Sequence, residues 1–167
     1  MKTLIPWFLM LFVAYILQSA FFNIFSYNGI TVDLVLLITI FFGIFYDKYA
    51  ILYGFCAGLF LDLASGSFLG IHIFTFLILC ILINRLTQFI YKENIFLPLV
   101  ASLLATILNN VLIAILIFLL GYDFNIWQVF NNIIVMLIYN LIVAYPVYFL
   151  VVYINKKIQY LIKSQEF

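Results

Sequence analysis

Apolar residues form six long stretches along the chain, each separated from the next by a short group of polar, glycine or charged residues. Most of the stretches are about as long as a helix that crosses the hydrocarbon core of a bilayer, which takes about 20 residues. The pattern predicts an all-α protein with six transmembrane helices in one bundle. The predicted spans are residues 4–22, 33–46, 49–64, 70–90, 96–120 and 132–154.

The second and third stretches are shorter than the others. Helices of about 14 to 16 residues reach only about 21 to 24 Å, less than the hydrocarbon thickness of about 30 Å. We therefore expect these two spans to begin or end in the interface, or to thin the membrane locally. The first stretch is longer than the apolar part of a signal peptide, and five more follow it, so we predict a membrane helix there.

The composition excludes a water-soluble domain. Apolar residues make up 69% of the chain and charged residues 8%, against about 25% charged in a soluble domain. Six spans leave too little chain for a separate extramembrane domain, so residues 1–167 are predicted to form a single integral membrane domain. The net charge of +1 provides no basic surface for nucleic acid. Cys56 and Cys80 lie singly in apolar runs without metal-ligand spacing.

The basic residues fall on one side of the membrane if the chain crosses it six times. The loops predicted on the other side, residues 23–32, 65–69 and 121–130, contain no lysine or arginine. Cytoplasmic loops carry the positive residues of membrane proteins, so both termini are predicted to be cytoplasmic. The segregated residues are Lys2, Lys48, Arg85, Lys92, Lys156, Lys157 and Lys163.

The third stretch carries small residues at helical spacing. Gly54, Gly58 and Asp62 share one helix face, and glycines allow another helix to approach closely. Asp62 lies near the helix C-terminus, where the helix dipole disfavours an anion, so it needs a partner. That partner is either local, namely Ser65 or the free backbone N–H groups around residues 67–71 at the start of the fourth helix, or it is a ligand or partner protein. The predicted helix-packing or partner interface comprises Gly54, Gly58, Asp62, Ser65, Gly66 and Gly70.

Polar side chains also lie inside the predicted spans. A polar stripe on the fifth span, formed by Ser102, Thr106, Asn109 and Asn110, is expected to meet Asn140 at mid-depth of the sixth span. Such polar groups either form hydrogen bonds between helices or line a ligand pocket. His72 has no second ligand on its own helix, so neither a metal nor another cofactor is predicted. The candidate polar core or pocket comprises Gln18, Asp33, His72, Ser102, Thr106, Asn109, Asn110 and Asn140.

Catalytic motifs are missing from the sequence, which contains no HExxH, GxSxG, Walker A or GxGxxG pattern. We therefore predict that the protein is not an enzyme. Two further expectations concern the last span and the tail. Pro146 should kink or loosen the sixth helix, and the basic amphipathic segment from Lys156 to Lys163 should rest on the anionic inner leaflet.

The residues from Gly54 to His72, in the pattern GxxxGLxxDxxSGxxxGIH, resemble those of the bacterial rod-shape-determining MreD family. The segment 32–37 (VDLVLL) and Leu17-Gln18 fit the same family. The resemblance implies a non-catalytic scaffold in the inner membrane that serves lateral peptidoglycan synthesis. It also implies a single-span partner of the MreC type, with MreB, RodA and a class B penicillin-binding protein as neighbours.

The same resemblance supports a second hypothesis. The family is similar in fold to the substrate-binding subunits of energy-coupling-factor vitamin transporters, so the polar residues would then line a pocket for a small solute. Those subunits commonly dock their partner through AxxxA on the first helix. Here Ala14 and Ala20 are six positions apart, which favours the scaffold.

Overall fold

The structure is a computed structural model that describes residues 5–66, 68–86, 96–123 and 125–163. Six α-helices form the described part of the chain, which contains no β-strand. A π-helical segment, Leu17–Phe21, and a 3-10 helix, Phe22–Phe25, follow the first α-helix, and a 3-10 turn, Asp47–Tyr49, precedes the third. The helices are α1 (Ile5–Ile16), α2 (Leu34–Phe45), α3 (Ala50–Ser65), α4 (Ile71–Leu86), α5 (Leu97–Leu119) and α6 (Ile126–Lys163).

The helices confirm a multi-pass membrane protein. Four helical stretches are long and apolar enough to cross a bilayer, namely Ile5–Phe25, Asp47–Ser65, Leu97–Leu119 and Ile126–Tyr160. Two apolar helices, Leu34–Phe45 and Ile71–Leu86, are shorter. The second predicted span is therefore short as expected. The third is longer than expected, because the 3-10 turn extends α3 at its start. Residues 4 and 87–90 of the predicted spans lie outside the described residues.

Helix α6 extends beyond the predicted span at both ends, because it begins at Ile126 rather than 132 and ends at Lys163 rather than 154. The side chain of Asn125 accepts a hydrogen bond from the backbone N–H of Trp127 at 3.0 Å, which starts the helix within a polar loop. With 38 residues, the helix is about 57 Å long. It continues through Pro146.

The start of the basic segment at the end of α6 continues the helix and packs against the bundle on one side. Asn155 and Ile158 are buried. The hydroxyl of Tyr46, at the end of α2, donates to Oδ1 of Asn155 at 2.7 Å. Lys156 and Lys157 remain exposed on the same helix.

Helix α2 is the centre of the bundle. Eleven of its twelve residues are buried, and all five of the other helices contact it. Its sequence, LVLLITIFFGIF, has no polar face, as is typical of a helix that is enclosed on every side. The short helix therefore acts as the core around which the longer helices pack.

Contacts between helices show that successive helices run in opposite directions. The hydroxyl of Tyr53 donates to the carbonyl of Trp7, and that of Tyr15 donates to the carbonyl of Ala64, so α1 and α3 run the same way. Asp33 contacts Asn140 and Tyr46 contacts Asn155, so α2 and α6 also share a direction. Consequently α1 begins at the end of the bundle where α6 finishes.

An aromatic cluster fastens α1 to the hairpin of α2 and α3. Trp7 is fully buried, and its ring lies edge-on to Phe42 with ring centroids 5.2 Å apart. Phe42 stacks on Tyr53 with centroids 3.9 Å apart. Aromatic pairs of this kind contribute about 0.5–1.5 kcal/mol beyond the burial of their area. The cluster lies near the end of the bundle where α1 begins.

Candidate functional site

The glycine face of α3 is occupied by α4 of the same chain. A Cβ atom added at Gly58 would lie 2.6 Å from the carbonyl oxygen of His72 and 2.6 Å from Cα of Ile73. A Cβ atom at Gly54 would lie 2.5 Å from Sγ of Cys80. The two helices thus approach so closely that only glycine fits. Of the two roles considered for this face, the structure shows internal helix packing.

Asp62 caps the start of α4 from the end of α3. Its Oδ2 accepts hydrogen bonds from the backbone N–H groups of Gly70 at 2.7 Å and Ile73 at 3.3 Å. Its Oδ1 accepts from the backbone N–H of His72 at 3.0 Å. The residue is 1% exposed. The anion lies where the first N–H groups of α4 have no partner within the helix, and where the helix dipole favours negative charge.

The imidazole of His72 completes this cap. Its Nδ1 lies 2.8 Å from Oδ1 of Asp62. Because an ionised carboxylate only accepts hydrogen bonds, Nδ1 carries the proton. The sequence did not reveal this pair, since the two residues lie on different helices and ten positions apart. No group of three metal-ligating side chains occurs among the described residues.

The remaining residues of the predicted interface form the turn between α3 and α4. Ser65 is the last residue of α3, and Gly66 follows it with φ of +63°. Gly70 has φ of +112°, which is a backbone conformation that side chains disfavour. Its N–H is thereby presented to Asp62. Gly70 is therefore part of the cap through its backbone N–H, which donates to Oδ2 of Asp62.

Helix α2 also begins inside the protein, but three side chains share its cap. The N-cap residue Asp33 is 5% exposed, and its Oδ1 accepts from the backbone N–H of Leu36 at 3.0 Å. The backbone N–H of Asp33 itself donates to Oδ1 of Asn140 at 2.8 Å. The N–H of Val35 donates to Oε1 of Gln18 at 3.4 Å. Residues from α2, α6 and the π-helical segment after α1 thus meet at one point.

The polar stripe of α5 reaches this cap through Thr106. The side-chain amide of Asn140 donates to Oγ1 of Thr106 at 2.8 Å, which joins α5, α6 and α2. Asn110 donates to the carbonyl of Thr106 at 2.8 Å and lies 3.2 Å from the sulfur of Met136. The hydroxyl of Ser102 donates within its own helix, to the carbonyl of Leu99 at 3.0 Å.

Asn109 differs from the rest of the stripe. It is 1% exposed, and its Oδ1 has no hydrogen-bond partner within the described residues. Two cavities between the helices, one beside α4 and α5 and one beside α1 and α6, are lined by apolar residues alone. None of the polar residues considered for a pocket lines either cavity. Most of them instead make hydrogen bonds within the chain.

Comparison with known proteins identifies the family. The family model described as rod shape-determining protein MreD matches residues 1–158. The chain belongs to the MreD family. The match covers nearly all of the chain and confirms the resemblance drawn from the residues between Gly54 and His72. Searches of curated proteins and of solved structures gave no match.

Membership assigns the protein to rod-shape determination. MreD proteins are shape-determining structural proteins and are not a known enzyme family. The apolar helices agree with an integral membrane protein. Several of the residues that carry the resemblance, namely Gly54, Gly58, Asp62, Gly70 and His72, pack α3 on α4 or cap α4 in this chain.

Proposed function

We propose that this protein is a non-catalytic scaffold in the bacterial inner membrane, serving the machinery that builds lateral peptidoglycan and sets rod shape. The observation that carries this proposal is the match to the MreD family over residues 1–158. The use of its polar residues supports it, because Asp62, His72 and Asn140 hold helices together. A protein of this kind acts through its helix surfaces.

We propose further that residues 1–167 form one membrane domain that crosses the bilayer six times, with both termini in the cytoplasm. The alternating directions of the helices support an even number of crossings. Lys48 follows α2, Arg85 ends α4, and Lys156 and Lys157 lie near the end of α6, all at the end of the bundle where α1 begins. Positive residues mark the cytoplasmic side. Lys2 and Lys92 lie outside the described residues.

The proposed partner is a single-span membrane protein of the MreC type, and MreB, RodA and a class B penicillin-binding protein are proposed neighbours. The surface of the bundle supports binding through helix packing, because apolar side chains are exposed along every peripheral helix. Examples are Phe12 on α1, Phe74 on α4 and Ile142 on α6, which are 54%, 60% and 68% exposed. The glycine face of α3 is unavailable, since α4 covers it.

Depletion and co-purification test the proposal together. Cells that lose the protein should change from rods to spheres, and expression of the wild-type chain should restore rods. The tagged protein, purified in mild detergent, should retain the single-span partner. Cells that keep their rod shape after depletion would contradict the proposal. A preparation that retains a stoichiometric small solute and no partner would favour the transporter hypothesis instead.

A further inference from the structure

A cleft between α4 and α5 faces the outside of the bundle. Its floor consists of buried residues from three helices, namely Ile44 of α2, Leu79 of α4 and Ala105 of α5. Its rims carry exposed side chains, since Leu82 on α4 is 39% exposed and Val100 on α5 is 48% exposed. Every residue that lines the cleft is apolar. In a membrane the rims therefore lie against the lipid, and hydrocarbon chains have direct access to the cleft.

The cleft is long and narrow. The residues that line it on α5 run from Leu97 to Leu108, which corresponds to about 17 Å along the helix axis. Its volume is about 240 Å³, so the mean cross-section over that length is about 14 Å². An α-helix is about 10–12 Å in diameter with its side chains, which corresponds to a cross-section of roughly 80–110 Å². A helix from another protein is therefore too wide for the cleft, whereas a single hydrocarbon chain has a suitable shape.

A cation lies at one end of the cleft. Arg85 lies in the last turn of α4, between Leu82 and Leu86, which both line the cleft. Its side chain is exposed and forms no ion pair with any residue that the structure describes. From this end the cleft extends about as far as one leaflet of hydrocarbon is thick, which is about 15 Å. A molecule with an anionic head and an apolar chain matches the charge, the length and the width together.

The cavity between α1 and α6 lacks this combination. Its lining is also apolar, but no lysine or arginine lies within four positions of any residue that lines it. It offers a place for an apolar chain and no counter-charge for a head group. The cation therefore distinguishes the cleft between α4 and α5 from that cavity.

We propose that the cleft between α4 and α5 binds an anionic phospholipid of the cytoplasmic leaflet, with one acyl chain in the cleft and the phosphate paired with Arg85. Guanidinium groups bind phosphate through two parallel hydrogen bonds, and basic pockets between membrane helices on the cytoplasmic side bind anionic head groups. The choice of leaflet rests on the proposed function, which places Arg85 at the cytoplasmic face. The bound chain fills the space that α4 and α5 leave between them and so supports their packing.

Lipid binding by the purified chain provides the test. The protein is delipidated in mild detergent and titrated with phosphatidylglycerol, which is anionic, or with phosphatidylcholine, which is zwitterionic. Native mass spectrometry counts the lipid retained per chain, and the melting temperature is recorded. Phosphatidylglycerol should bind saturably at about one molecule per chain, raise the melting temperature, and bind at least about tenfold more tightly than phosphatidylcholine.

Two variants address the two parts of the site. Arg85→Gln removes the charge, and should weaken phosphatidylglycerol binding about tenfold while leaving phosphatidylcholine binding unchanged. Its control is Lys157→Gln, at an exposed cation of α6 at the same end of the bundle, which should stay within about twofold of the wild type. Val100→Trp fills the cleft from its rim and should weaken phosphatidylglycerol binding at least about tenfold. Its control is Ile115→Trp, because Ile115 on α5 is 49% exposed and lies outside the cleft.

A photoreactive phosphatidylglycerol tests the site without any substitution. With the reactive group near the end of its acyl chain, it should label the wild-type protein at the end of the cleft away from Arg85, where Leu79 and Leu108 lie. Labelling spread evenly over the lipid-facing helices would show annular lipid only and would overturn the assignment. Equal binding of the two lipids, or unchanged binding by Arg85→Gln or Val100→Trp, would overturn it as well.

Failure of the lipid site is separable from failure of the proposed function. Retention of the single-span partner and the change from rods to spheres do not involve the cleft, so both can be observed while the lipid titration fails. If cysteine-accessibility labelling instead places position 48 on the outer face, the proposed topology fails and the choice of leaflet fails with it.

Discussion

The two short helices of the bundle both begin inside the protein, but their first N–H groups are satisfied in different ways. At α4, one anion from another helix accepts three backbone hydrogen bonds and one from an imidazole. At α2, the carboxyl group belongs to the N-cap residue Asp33 and accepts a hydrogen bond from one backbone N–H, while side-chain amides from α6 and from the segment after α1 accept from two others. At α4 a single residue, Asp62, accepts all of these hydrogen bonds. At α2 three residues, Asp33, Asn140 and Gln18, share them, and we call this the distributed cap.

The difference determines how each region responds to mutation. Removing Asp62 leaves three part-buried backbone donors unpaired at once, and an unpaired group is destabilising by about 1–3 kcal/mol when it is fully buried. Removing one member of the distributed cap leaves the other members in place. The α4 cap should therefore be sensitive to single substitutions, and the α2 cap should lose stability in small steps. The following predictions run from the largest expected effect to the smallest.

Gly58→Leu should prevent folding, because the contact that brings Asp62 to α4 depends on the absence of a side chain at position 58. Backbone atoms of α4 lie within 2.6 Å of the added Cβ, so the helices must separate. We expect no folded monomer by size-exclusion chromatography in detergent. Ala64→Leu is the control on the same helix, since Ala64 is exposed. Recovery of folded Gly58→Leu protein at wild-type yield would show that α3 and α4 do not pack closely at position 58.

Asp62→Ala should lower the free energy of unfolding by about 3–5 kcal/mol, because it removes a buried charged acceptor and leaves three part-buried N–H groups without that partner. Asp62→Asn keeps two acceptor lone pairs on one oxygen, and should lose about half as much. Denaturant unfolding in detergent measures both. If the two variants unfold as the wild type does, Asp62 is not a cap.

Asn140→Ala should lower the free energy of unfolding less, by about 1–2 kcal/mol. It breaks the hydrogen bonds to Asp33 and Thr106. The bonds that Asp33 and Gln18 accept from the N–H groups of Leu36 and Val35 remain. A double-mutant cycle with Thr106→Val should give a coupling energy of about 0.6–1.7 kcal/mol, the range for hydrogen bonds between membrane helices. Additive effects of the two substitutions would mean that the side chains do not interact.

Gln18→Ala should have the smallest effect, below about 1 kcal/mol, because its hydrogen bond to the N–H of Val35 is long, at 3.4 Å. The same unfolding series provides the measurement. Ser19→Ala is a suitable comparison, as the hydroxyl of Ser19 bonds only to the preceding turn, at the carbonyl of Ile16. A loss for Gln18→Ala as large as that for Asp62→Ala would reverse the contrast between the two caps.

Local patterns in the sequence identified several of these features. The spacing of Gly54, Gly58 and Asp62 predicted a closely packed face ending in an anion that needs donors, and backbone N–H groups of α4 supply them. The mid-depth polar residues of the fifth and sixth spans predicted a contact, and the structure shows one between Thr106 and Asn140. Both features follow from helix periodicity within one or two elements.

Other features could not be read from the sequence. A stripe of small residues does not specify which helix covers it, so the partner of the glycine face stayed open. The pairing of His72 with Asp62 depends on the turn at Gly66 and Gly70. The ends of α6 could not be predicted from hydropathy, which indicates only the apolar part of the helix, whereas hydrogen bonding continues the helix into polar residues on both sides.

Amide hydrogen exchange in Asp62→Ala protein, compared with the wild type in the same detergent, tests the cap most directly. A loss of about 3 kcal/mol at the first turn of α4 corresponds to roughly 100-fold faster exchange. We predict this acceleration at Gly70, His72 and Ile73, and a clearly smaller one at Val35 and Leu36 in the first turn of α2. Unchanged exchange at the start of α4, or equal acceleration at both helix starts, would contradict the account.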